Sequence, residues 1–116
     1  MKDRGIEILL ASSSKELCEH IKAMLAEINS TVTYSLHTTE NLSMVLQAVK
    51  ETGSKVLLLD MKLLNDMGLK AMKRIHFKNT DVPIIAITKP CTESKYLQII
   101  KNGAVDYLVE GKIYHD

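Results

Sequence analysis

Net charge is nearly absent: 15 Lys and Arg stand against 14 Asp and Glu, a net charge of +1. That removes the electrostatic argument for nucleic acid or an anionic membrane as a direct partner. No apolar run approaches the roughly 20 residues of a membrane span, and no signal peptide precedes the first apolar stretch. The expected location is therefore cytoplasmic. There are two cysteines, Cys18 and Cys91, far apart in the chain. Two reduced thiols, buried or half-buried, are expected rather than a disulfide. Repeats, low-complexity tracts and Pro/Gly-rich linkers are missing, which leaves no domain boundary and implies one domain over residues 1–116, standing alone or as the N-terminal part of a longer protein. No Gly-rich phosphate loop follows the first apolar stretch and no nucleophile–base pair is evident. His20, His37, His76 and His115 lack metal-ligand spacing. A small enzyme or a cofactor-binding domain is accordingly disfavoured.

What is present is a regular alternation. Hydrophobic residues make up 46% of the 116, and a chain of this size buries roughly two-thirds of its unfolded surface without a metal or disulfide. Residues 6–11, IEILLA, form a short apolar run suited to a buried strand. Ser13 followed by Glu16 fits a capping box, and Leu17, Cys18, Ile21, Met24, Leu25 and Ile28 then recur at helical spacing. In TVTYSLH, Val32, Tyr34 and Leu36 recur at period two, the mark of a strand near an edge. Leu42, Val45, Leu46 and Val49 return to helical spacing, with Gly53 as the stop. KVLLLD, residues 55–60, is an unbroken run, as a central parallel strand requires. A helix from about Gly68 to Phe77 follows, burying Leu69, Met72 and Ile75. VPIIAIT (82–88) is another central strand, Tyr96, Ile99 and Ile100 mark a helix ending near Gly103, and VDYLV (105–109) is a fifth strand.

Strict alternation with doubly buried central strands implies a parallel sheet covered by helices on both faces. Sites in such sheets form beyond the carboxyl ends of the strands. Asp60, Ser12 and Ser13, Thr88 and Glu110 all fall at that edge. Asp60 is then either a polar strand end, solvated or bonded to backbone amides, or a carboxylate paired with a lysine. Lys89, which adjoins Thr88, is the first choice for that partner, with Lys62 also in a loop over the pocket and Lys112 after Glu110. Lys70, Lys73, Arg74 and Lys78 form a basic run best read as a solvated helix face.

At these positions the chain resembles the receiver domain of two-component response regulators, from Ile6 to about Ile113. Asp60 stands where the phosphoacceptor stands, and Gly68-Leu69 match the family's Gly-Leu. VPIIAIT matches the fourth strand with its terminal hydroxyl, Thr88, and NGAVDYLV places Tyr107 at the aromatic switch position. The resemblance implies a flavodoxin-like five-stranded parallel sheet, a regulatory role without enzymatic activity, and a histidine kinase and an output domain as partners. It also marks departures. Ser12 and Ser13 replace the two acids that hold magnesium, Glu110 replaces the lysine that contacts the phosphoryl group, and Leu64 replaces a proline.

An aspartyl phosphate needs a cation beside the transferring oxygens, and magnesium usually takes one or two carboxylates. With serines at 12 and 13, the expectation is no metal and a degenerate, pseudo-receiver-like pocket that acts through protein contact. In the alternative, a histidine kinase phosphorylates Asp60 and Glu110 or water completes an unusual magnesium site. The family's fifth helix looks absent or truncated. Ile8, Leu10 and Leu108 are then expected to keep surface in water, favouring self-association or docking of a partner through the first-strand, fifth-strand and fourth-helix surface, with Tyr96, Ile113 and Tyr114 at its rim.

Overall fold

The computed structural model describes residues 5–28, 33–51 and 55–111. Val32, Gly53, Lys112, Ile113, Tyr114 and His115, each named above, lie outside them. The elements alternate as β1 (Ile6–Ala11), α1 (Lys15–Ala26), β2 (Tyr34–Thr39), α2 (Leu42–Lys50), β3 (Lys55–Asp60), a 3-10 segment (Met61–Met67), α3 (Gly68–Lys78), β4 (Ile84–Thr88), α4 (Glu93–Lys101) and β5 (Asp106–Val109). The five strands form one sheet of order β2-β1-β3-β4-β5, parallel throughout. The flavodoxin-like fold is thus observed, and β2 is the edge strand its half-polar alternation predicts.

The sheet divides the core in two. On one face, Val45 and Val49 of α2, Ala71, Met72 and Ile75 of α3, and Ile99 of α4 close over Leu57, Leu59, Ile84 and Ala86. On the other, Leu17 and Ile21 of α1 close over Ile8, Leu10, Leu58 and Ile87. A run such as VLLLD needs partners on both sides, because alternate side chains enter opposite faces.

Some expectations need correcting. The α1 cap is Ser14, whose Oγ accepts the Leu17 N–H at 3.1 Å, not Ser13 paired with Glu16. The chain stays extended one residue longer because the Ser12 N–H still donates to the Thr39 carbonyl, 2.9 Å. Ile8 and Leu10 are buried, since α1 packs over that face of β1. Leu108, one strand beyond its reach, remains 38% exposed. Met24 and Ile28 carry the apolar spacing of α1 but stay exposed. They line, with Ile21, Leu25, Leu58 and Leu108, an open groove. Cys91 is exposed rather than half-buried, on the loop after β4, while Cys18 is half-buried; both are free thiols. Among the described residues no helix is long and apolar enough to cross a membrane.

Candidate functional site at the carboxyl edge of the sheet

Asp60 ends β3 and also caps the 3-10 segment after it, at φ −74° and ψ 114°. Asp60 is 2% exposed, beside Ser12 at 3%; these are the buried polar residues among those described. A carboxylate this deep must have each oxygen occupied. Oδ1 accepts the backbone N–H of Lys62 at 3.0 Å. Oδ2 accepts the hydroxyl of Ser12 at 2.6 Å, a short contact of the charge-assisted kind. Ser12 Oγ in turn accepts the Ser14 N–H at 3.0 Å. Parallel register explains the meeting. Ala11 pairs with Leu59, so the next residues, Ser12 and Asp60, emerge side by side at the same edge. Ser13 is exposed.

The charged residues sit at the rim. Lys62 Nζ reaches Glu110 Oε2 at 2.8 Å, with the lysine side chain 43% and the glutamate 21% exposed. Lys62 therefore serves Asp60 through its backbone and Glu110 through its ammonium. The expected Lys89–Asp60 pair is not formed among the described residues: Lys89 is exposed, and its carbonyl accepts the Thr88 hydroxyl at 3.1 Å. The Thr88 carbonyl accepts the Glu110 N–H at 2.7 Å, which fixes the end of β5 against the end of β4. Among the described residues no group of three or more His, Cys, Asp or Glu side chains is placed to hold a metal ion.

Two further features adjoin this edge. The Tyr107 ring stacks on Tyr96 of α4, with centroids 4.4 Å apart and planes 4° from parallel. Tyr96 Oη accepts the Cys91 N–H at 3.1 Å, so the stack also holds the β4–α4 loop. On the opposite side, Ser13, Cys18, Thr38, Thr39 and Glu40 line a polar cleft of about 400 Å³. Burial pushes the Cys18 thiol above its ordinary value, and the Asp60, Glu19 and Glu40 carboxylates push the same way against Lys22.

Sequence reasoning brings Asp60, Ser12, Thr88 and Glu110 to one edge, as found. It misses the Ser12–Asp60 bond, the Lys62–Glu110 pair and the Tyr96–Tyr107 stack. The first follows from parallel register once β1 and β3 are taken as neighbours. The other two depend on side-chain reach, for which the sequence carries no signal.

A parallel sheet of this strand order, with an aspartate buried at the end of its third strand, defines the class of the molecule. Residues 8–110 match the family model of the response regulator receiver domain, and the chain belongs to that family of signalling modules of two-component systems. It is 23% identical over 110 residues to the transcriptional regulatory protein ZraR of Klebsiella oxytoca, covering 95% of this chain but 24% of that protein. The chain thus spans about a quarter of that relative. Among solved structures, the signal receiver domain of an HD domain-containing protein from Pseudomonas fluorescens Pf-5 superposes with a TM-score of 0.76 at 21% identity, over 95% of this chain and 79% of that one. The receiver domain of sensor histidine kinase PA1611 from Pseudomonas aeruginosa PAO1, solved with magnesium in its active-site cleft, gives 0.72 at 24% identity over 92% and 86%. These likenesses show the fold.

Proposed function

We propose that this receiver has a degenerate phosphorylation pocket and acts by protein–protein contact, as a module read by an output domain or another partner protein in the cytoplasm. The observation that carries this reading is the 2.6 Å bond from Ser12 to Asp60. Where the family pattern places a metal-binding acid, this chain places a neutral hydroxyl. That hydroxyl spends its proton on the acceptor carboxylate itself. Among the described residues Asp60 is the buried carboxylate of this edge, and Glu110, the other acid there, is engaged by Lys62. Magnesium favours carboxylate and water oxygens in octahedral array, and these residues do not fit it. Thr88 and Tyr107 would then act as fixed parts of the partner-facing surface, with Tyr107 held against Tyr96.

Adding magnesium and beryllofluoride tests the reading. Amide resonances of residues 60–62, 88–89 and 107–110 are expected to stay unchanged at millimolar concentrations of both. Saturable shifts centred on Asp60 would overturn the reading in favour of a working phosphoacceptor served by a histidine kinase.

A further inference from the structure

We propose that the Lys62–Glu110 ion pair is a latch that ties the loop after Asp60, the 3-10 segment, to the end of β5. It makes the position of that loop depend on a residue at the far side of β4. The strand order places β4 between β3 and β5. Lys62 lies two residues past the end of β3 and Glu110 one residue past the end of β5, so their 2.8 Å contact spans the carboxyl end of β4. Both partners are anchored by their backbones. The Lys62 N–H is bonded to Asp60 Oδ1 at 3.0 Å, and the Glu110 N–H to the Thr88 carbonyl at 2.7 Å.

Anchoring decides what the pair does. An exposed ion pair between free side chains gains little, because ordering two long chains offsets the attraction. Here the side-chain cost is the same, but both backbones are held, so closing the pair couples the two strand ends. Their separation is also sensitive to any shift of β5 relative to the Asp60 loop. Tyr107 is three residues before Glu110 and stacked on α4. A partner that displaces α4 or β5 therefore strains the latch, and release of the latch loosens the N–H that Asp60 accepts. A strong lock would not serve here. A partly exposed pair opens under modest load, as a reversible coupling requires. The inference stands whether or not Asp60 accepts a phosphoryl group.

Hydrogen exchange of the Lys62 amide reads the latch from the opposite side of β4. The reference is the Leu57 amide, bonded to the Pro83 carbonyl at 2.9 Å in the same protein. Glu110→Gln is expected to speed Lys62 exchange relative to Leu57 by about two- to fivefold, the range set by the worth of an exposed pair. The charge-reversed double variant Lys62→Glu/Glu110→Lys should return exchange at position 62 toward the starting ratio. In the unaltered protein, 1 M NaCl, which shortens the screening length to about 3 Å, should accelerate the Lys62 amide in the same sense. An unchanged ratio in Glu110→Gln and in salt overturns the proposal. So does a double variant that remains as fast as Glu110→Gln, because the contact would then not act through charge.

Discussion

Ser12 and Asp60 hold each other, and each is costly to leave alone at this depth. Ser12→Ala removes the donor to Oδ2 and the acceptor of the Ser14 N–H together. Because one group left behind is a buried carboxylate, the loss should be about 1–3 kcal/mol in urea unfolding. Ser12→Asp has a different signature. It sets two carboxylates side by side, so the variant should be less stable than the parent without metal. Millimolar magnesium should then restore stability to the variant while leaving the parent unchanged.

Cys18 reports the same charge from the other side. Its thiol is raised by burial first and by the Asp60 carboxylate next. A thiol raised in the folded state favours folding while it stays protonated. That contribution is present below the unfolded thiol value and is lost as pH rises through the folded one. Iodoacetamide at pH 8 should accordingly modify exposed Cys91 well before Cys18. Asp60→Asn, by removing a raising charge, should quicken labelling of Cys18 and leave Cys91 unaffected. Equal acceleration at both thiols would indicate general loosening instead.

At the scale of the elements, the turn between α4 and β5 shows how little room some junctions leave. Gly103 has φ +125°, and a Cβ there would lie 2.8 Å from the Cβ of His76 in α3. Gly103→Ala combines a strained backbone with a clash that no side-chain rotation relieves, because the opposing atom is attached directly to the α3 backbone. A loss of about 1–3 kcal/mol is expected, measured by thermal or denaturant unfolding. His76→Ala should not rescue it, since alanine keeps the offending Cβ. The same crowding shields His76 Nδ1, which is buried without a bonded partner among the described residues. The stacked pair of Tyr96 and Tyr107 is the other junction of this kind. A double-mutant cycle between Tyr96→Leu and Tyr107→Leu should return a coupling of about 0.5–1.5 kcal/mol.

At the scale of the whole molecule, the two faces of the sheet are unequal. Among the described residues three helices cover one face and α1 covers the other, and Met24, Ile28 and Leu108 remain 46%, 47% and 38% exposed around one groove. Substitution separates true core from apolar surface here. Met24→Lys should shift stability by no more than about 0.5 kcal/mol, as exposed positions do. Ile21→Ala, on the same helix but 4% exposed, should cost about 2–4 kcal/mol. Parallel urea titrations of the two variants check this. If Met24→Lys costs as much as Ile21→Ala, the groove is closed in solution.

The residue sequence by itself determined the order and type of the elements. Helical spacing and unbroken apolar runs are one-dimensional records of which face each segment buries. It also determined that Asp60, Ser12, Thr88 and Glu110 share one edge, because parallel strands joined by helices all end on the same side. Boundaries within a residue or two escaped it. The α1 cap moved from Ser13 to Ser14 because a carbonyl on β2 kept Ser12 in the sheet, which no local pattern records. Only the tertiary structure decided the partners. Lys62 lies two residues from Asp60, yet its ammonium reaches a glutamate 48 positions away, because strand order brings the end of β5 within reach of its side chain. The same holds for the apolar residues. Ile8, Leu10, Met24 and Leu108 are alike in hydropathy, and the placement of one helix over β1 settles which are dry. Helical and strand periods are set by local backbone geometry and can be read along the chain, whereas pairing and exposure depend on what lies across the sheet.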